Sequence, residues 1–317
     1  MFNAITDVPG ILVGQVSDLT ALTGCTAVIC PQGAVAGVDV RGSAPGTRET
    51  DALSPLNLVD KAHAVVLAGG SAFGLDAASG VMKYLEEQGI GFDVGVTKVP
   101  IVTAAVLFDL GIGDYRVRPD AAMGYRAAAE AKAAPVKEGN VGAGTGASVG
   151  KILGHEGAIK SGLGTASIRV GDLIVGALVA VNALGDVVDP ATGKIVAGAL
   201  TKEKTFLDTE KYLREQSFSP GAAMSNTTIG VVATNAKLSK PQATKVAQLA
   251  HDGYARAIRP VHTMLDGDAI FCLATEQVAA DPNQVGSLAA QVMAQAIVRA
   301  ARLTEGAGGL LAARDLL

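Results

Sequence analysis

The strand and helix patterns of this chain come mostly in blocks, with regular alternation only in the last third, and that grouping constrains its fold more than any single motif. Apolar, β-branched runs at residues 25–30, 34–40 and 64–68 make the first third strand-rich, and Gln32-Gly33 reads as the turn that pairs the first two. Leu75, Ala78, Val81, Met82 and Leu85 then recur at helical spacing within residues 71–88, a segment that stops at Gly89. Residues 100–110 and 120–131 read as further helices, the second more exposed. In the middle, residues 165–170 and 173–182 read as a hairpin through Gly171-Asp172. The last third reads β-α-β-α: a strand over 227–234, a helix opened by the capping pattern Ser239-Lys240-Pro241-Gln242, a strand over 269–274 and a long helix over 285–303. Helices that flank blocks of strands fit two stacked sheets with helices outside better than a doubly wound sheet.

Composition narrows the possibilities further. A hydrophobic share of 49% over 317 residues is ample for a large core, and 39 glycines with no tryptophan favour tight turns and close backbone packing. The charge balance of 26 basic against 30 acidic residues leaves no electrostatic footprint for nucleic acid or an anionic membrane. The longest apolar stretch, residues 173–184, is too short to span the ~30 Å hydrocarbon core, and the first residues lack the basic and apolar regions of a signal peptide. A cytoplasmic protein with a small-molecule substrate is expected. Cys25, Cys30 and Cys272 are an odd count without paired-ligand spacing, and the four histidines are scattered at 63, 155, 251 and 262. They read as three buried, reduced cysteines, with no metal and no cofactor.

Two motifs are tempting and are set aside. Gly142-Ala143-Gly144-Thr145-Gly146-Ala147 matches a permissive dinucleotide fingerprint, but Lys137-Glu138-Gly139-Asn140 supplies no strand before it. Gly69-Gly70-Ser71-Ala72-Phe73 resembles a nucleophile elbow whose closing glycine comes one residue late, at Gly74. Ser71 reads more simply as the cap of the helix it opens, which leaves His251 and His262 without a triad role.

The chemistry concentrates at Asn226-Thr227. Residues 202–215 carry eight charges, the small residues 220–225 follow, and the two stretches together read as an exposed linker; an apolar strand starts at Thr227. A threonine at such a junction can attack its own preceding carbonyl. Cleavage there would divide one catalytic domain into chains 1–226 and 227–317 and free an α-amine, which titrates near ~8 and can take the hydroxyl proton. Taken alone, Thr227 is an ordinary strand start after a good turn residue. Polar residues that interrupt or precede other apolar strands strengthen the reading, because buried amides and carboxylates demand partners. Asn182 can offer an amide N–H to an oxyanion, although Gly185 and Asp186 also allow a plain strand-end turn. Asp266 and Asp268 flank one glycine and share a face if the segment is extended, with a solvated turn as the alternative. Lys160, before Ser161-Gly162-Leu163-Gly164, is the nearest basic residue that could support the nucleophile, or it is simply exposed.

With these residues assembled, the chain resembles the self-processing L-aminopeptidase/D-esterase peptidases, which include β-aminopeptidases and the nylon-oligomer endo-hydrolase. The resemblance covers almost the whole chain. It runs through Asp7-Val8-Pro9-Gly10, Val40-Arg41-Gly42-Ser43-Ala44-Pro45-Gly46-Thr47-Arg48-Glu49-Thr50, Gly69 to Leu75, Val99-Pro100-Ile101-Val102, Val141 to Gly146 and Gly164-Thr165-Ala166-Ser167. It implies a four-layer α-β-β-α sandwich, autocatalytic cleavage into two associated chains, no metal, and a homotetramer of cleaved heterodimers. Position by position it implies Thr227 as nucleophile, Asn226 before the cut, Asn182 as oxyanion donor, and Asp266 and Asp268 as the paired carboxylates. Lys160 matches the catalytic lysine, with Lys151 close by as the alternative. Asn-Thr and Asp-Gly-Asp resemble the nylon-oligomer type; the aminopeptidase branch has serine after glycine, and serine and glutamate in place of the aspartates. The reading is therefore an N-terminal-threonine amide hydrolase acting on small linear amides, with 6-aminohexanoate oligomers as the specific choice. Release of N-terminal amino acids from short peptides is the near alternative. Acyl transfer of the ornithine-forming kind and a ligand-binding module that never cleaves are the alternatives of other classes.

Overall fold

A computed structural model describes residues 1–217 and 226–316. Nine strands among the described residues form one hydrogen-bonded sheet: β1 (Leu12–Asp18), β2 (Thr23–Val40), β3 (Thr47–Arg48), β4 (Lys61–Ala68), β5 (Val102–Val106), β6 (Leu163–Val170), β7 (Leu173–Asn182), β8 (Thr227–Ala236) and β9 (Ala269–Val278). The order is β6-β7-β8-β9-β2-β4-β5-β3, with β1 on β2. The helices are α1 (Ala77–Glu87), α2 (Ala121–Ala129), α3 (Thr209–Glu215), α4 (Lys240–Ala257) and α5 (Pro282–Arg302).

Alternation along the strands turns this sheet into two layers. On β2, Cys25, Ala27 and Ile29 face a core shared with α1 and α2, whereas Val28, Cys30 and Ala34 face a middle core with Leu178, Ile229 and Phe271. The opposite faces of β7, β8 and β9 send Val179, Val232 and Ile270 into a third core against α4 and α5. The result is a four-layer α-β-β-α sandwich, as the grouping of the patterns implies.

Three local expectations differ from what is observed. Residues 25–30 and 34–40 do not pair with each other through a turn; they are one continuous strand, β2. Gly33, at φ +72, shapes a register irregularity between Ile29 and Ala34, and β2 passes from its partners β1 and β4 to β9. Residues 100–110 contain β5 rather than a helix. All five β5 residues are buried, and periodicity cannot separate a short, fully buried strand from a helix. Residues 202–215 are not merely linker, since α3 forms there. Its N-cap Asp208 accepts the Lys211 N–H, and buried Thr209 is tied to Asp186. Residues 220–225 lie outside the described residues.

The hairpin through Gly171-Asp172, the capping box of α4 and the three buried, free cysteines match expectation. No helix among the described residues is long and apolar enough to cross a membrane.

Candidate active site

Strand direction brings the site together. β7 and β8 are antiparallel, and their register ends on the pair Asn182–Thr227. β9 runs parallel to β8 with Ala269 beside Ile229, so the residues just before β9 lie alongside the start of β8. Asn226 accordingly bridges to Asp266. Asn182, Thr227, Asp266 and Asp268, drawn from three segments, meet at one end of the sheet. All four are buried, Thr227 at 4% exposure and the others at 1% or less.

The Thr227 hydroxyl donates to the carbonyl oxygen of Asn226. The same carbonyl accepts the backbone N–H of Gly267 at 3.1 Å, so a protein donor polarises the bond ahead of the threonine. No side chain fits at residue 267. A Cβ there would stand 2.4 Å from Ala44 O and 2.8 Å from Thr227 Oγ1.

The orientation of the Asn182 amide follows from its neighbours. Ser148 N–H and Lys151 Nζ donate to Oδ1 at 3.0 and 2.9 Å, and the backbone N–H cannot accept. Nδ2 must then face the other way, where one of its hydrogens goes to Phe108 O at 3.0 Å. An amide N–H on the residue paired with Thr227 is the chemistry that an oxyanion requires. Lys151 also donates to Asn182 O at 2.9 Å.

Asp266 accepts Leu184 N–H at 3.2 Å on one oxygen, and the Thr263 hydroxyl and N–H on the other. Asp268 accepts Thr228 N–H at 2.7 Å and lies 2.8 Å from His262 Nδ1. Both carboxylates thus hold backbone around the threonine. Burial, and then the negative charge of Asp268, push the Asp266 carboxyl above the ordinary carboxylate range. Burial lowers the Lys151 ammonium to about 7, against the opposing charges of Asp266, Asp109 and Asp268.

Lys160 is equally buried but serves another segment. Its ammonium donates to Ala147 O at 2.8 Å, Gly144 O at 3.3 Å and Ser161 O at 2.5 Å, pinning the glycine-rich stretch. Burial lowers it too to about 7, with Asp109 opposing. Of the two lysines, it is Lys151 that the structure brings to Asn182. Ser71 does not cap its helix: it is the first residue inside a 3-10 turn, at φ 54, and the cap position falls on Gly70. Gly70 has no side chain to offer, and its own N–H is taken by Asp109 Oδ1 at 2.6 Å.

Sequence reasoning missed Asp109, Thr263 and His262. A strand reading of residues 102–106 would have exposed Asp109 as one more polar residue just past an apolar strand. The other two carry no local signal.

Comparison with known proteins identifies the family of the chain. The profile of Peptidase family S58 matches residues 3–315. The chain is 42% identical to an uncharacterized aminopeptidase of Mycobacterium tuberculosis, over 99% of this chain and 98% of the relative. It is 31% identical to the 6-aminohexanoate-oligomer endohydrolase of Paenarthrobacter ureafaciens, over 93% of this chain and 85% of that protein. The L-aminopeptidase D-Ala-esterase/amidase of Ochrobactrum anthropi, a variant of the Ntn-hydrolase fold, shares the fold with a TM-score of 0.73 at 20% identity, over 97% of this chain and 88% of that one.

Proposed function

The chain belongs to peptidase family S58, a hydrolase acting on amide bonds, and from that premise we propose that it cuts its own backbone between Asn226 and Thr227 and then uses Thr227 as the nucleophile. The observation that carries this reading is the Asn226 carbonyl, held between the Thr227 hydroxyl and the Gly267 N–H. Thr227 Oγ attacks the Asn226 carbonyl carbon, the C–N bond breaks as the acyl group passes from nitrogen to oxygen, and water hydrolyses the ester. Chains 1–226 and 227–317 result. The new α-amine, with a pKa near ~8, accepts the hydroxyl proton when Thr227 attacks a substrate amide. Asn182 donates to the tetrahedral oxyanion, Lys151 holds Asn182 in place, and water releases the acyl group.

The substrates are small linear amides cut internally, of the 6-aminohexanoate oligomer class; the Asn-Thr and Asp-Gly-Asp pattern supports this choice. The higher identity to a relative named an aminopeptidase, 42% against 31%, favours a second reading, removal of N-terminal residues from short peptides. An oligomer whose amine is acylated separates the two, because only an endo-acting enzyme cleaves it. Intact mass under denaturing conditions tests the shared premise. Two fragments are expected from the native protein and one chain from Thr227→Ala; turnover by an uncleaved native chain would sink the proposal.

A further inference from the structure

His262 lies in the turn before the Asp-Gly-Asp segment, and the chemistry above leaves it without a task. Its backbone sits at φ 57, in the left-handed region that few residues other than glycine adopt; histidine, asparagine and aspartate are the usual exceptions. Two contacts to one oxygen hold it there. Its N–H donates to Asp268 Oδ2 at 3.2 Å, and Nδ1 stands 2.8 Å from the same oxygen. A carboxylate only accepts, so Nδ1 is the protonated nitrogen of this pair. Nε2 is buried without a hydrogen-bond partner among the described residues, so the ring is tied down from one side only.

The ring is also packed in place. It stacks on Tyr254, with centroids 5.9 Å apart and planes at 27°, and meets His251 edge-on at 4.7 Å. His251 is in turn held by Asp39, where Nε2 lies 3.1 Å from the backbone oxygen. Asp268 is therefore gripped by a residue that is itself wedged against α4.

The far oxygen of Asp268 explains why this matters. The parallel ladder between β8 and β9 begins at Ile229, one residue after Thr228. Asp268 Oδ1 accepts the Thr228 N–H at 2.7 Å and so extends the pairing by one position with a side chain. Thr228 is the covalent neighbour of Thr227. A carboxylate free to rotate would loosen the β9 edge of the strand beside Thr227, leaving only the β7 edge paired there.

We propose that His262 is a positioning residue: by locking Asp268 it fixes the Thr228 N–H, and through it the placement of Thr227 opposite Asn182. The inference rests on Thr227 being the nucleophile. Two variants of the full chain test it. His262→Leu fills much of the ring space without a donor. His262→Asn tolerates the left-handed backbone and carries an N–H one bond from Cγ, as Nδ1 does. With Leu, fragment formation and kcat are expected to fall about tenfold or more while KM changes by less than about twofold, the scale of one lost hydrogen bond to a charged group. Asn is expected to restore both rates to within about threefold of native. Native rates in the Leu variant, or folded Leu and Asn variants equally impaired, overturn the proposal. If Leu does not fold, a tenfold loss in folded His262→Asn overturns it, and near-native rates there support it. Thr227→Ala run alongside keeps the premise separate, since cleavage or turnover by that variant removes the nucleophile assignment whatever His262 does.

Discussion

Asn182 and Thr227 are the last cross-strand pair of β7 and β8, and they face each other directly at the end of the central sheet. Directly opposed residues hold their Cβ atoms about 5 Å apart, close enough for an amide to reach an oxygen forming on the threonine side. Asn182→Ala is expected to lower kcat by about 10² to 10³ with a much smaller change in KM. Steady-state kinetics on a short amide oligomer or peptide checks this. A change confined to KM would show that Asn182 binds the ground state instead.

Gly267 offers the backbone N–H that reaches the Asn226 carbonyl, in a space that admits no side chain. Gly267→Ala must displace Ala44 or push the Thr227 hydroxyl away. Fragment formation is expected to slow by about 100-fold or more, the scale of one lost oxyanion donor. Electrophoresis of samples taken through a time course reads the rate, and circular dichroism confirms the fold. Cleavage at the native rate would mean that the carbonyl needs no donor from this position.

Thr227→Ser keeps the hydroxyl and the future α-amine, so the variant is expected to yield the same two fragments and retain activity. Thr227→Ala is expected to lose more than about 10³ in turnover. Mass spectrometry of both proteins decides the matter: a Ser variant that stays whole while folded would show that the threonine methyl, not the hydroxyl alone, is required.

The two buried lysines are expected to fail differently. Lys151→Met removes one of the donors to Asn182 Oδ1 and should lower kcat by about tenfold or more, if Asn182 is the oxyanion donor proposed above. Lys160→Met leaves Ser161 O without the ammonium and loosens the glycine-rich stretch, at a cost of about 1 to 3 kcal/mol in stability. Paired measurements of kcat and Tm separate the roles. Equal loss of kcat in both variants at matched stability would return Lys160 to the chemistry.

Stability is also expected to depend on pH through these lysines. Each is lowered from 10.5 to about 7 by burial. Between those values the unfolded chain binds more protons than the folded one, so their contribution to stability rises with pH. Below about 7 both states carry the charge and the full burial cost stands. The native protein should therefore gain Tm relative to Lys160→Met as pH goes from about 7 to 9. A difference that stays flat over that interval would show that the ammonium is not desolvated.

The start of β8 at Thr227, the hairpin at Gly171-Asp172 and the capped opening of α4 were legible in the sequence, because each is decided by a few adjacent residues: β-branched side chains, a glycine turn, a serine three positions before a glutamine. The tertiary structure decided the rest. Gln32-Gly33 could have closed a hairpin, and became an irregularity within β2 because β4 pairs with the strand on both sides of it and β9 takes up the second half. Lys151 and Lys160 stand in similar glycine-rich surroundings, and only the folding of the loops sends the first to Asn182 and the second to Gly144, Ala147 and Ser161. His262 gave no local sign at all, since its partner Asp268 is reached through a left-handed turn. Which residues have the chemistry is a property of the chain; which of them meet depends on strand order, direction and register among segments far apart in it.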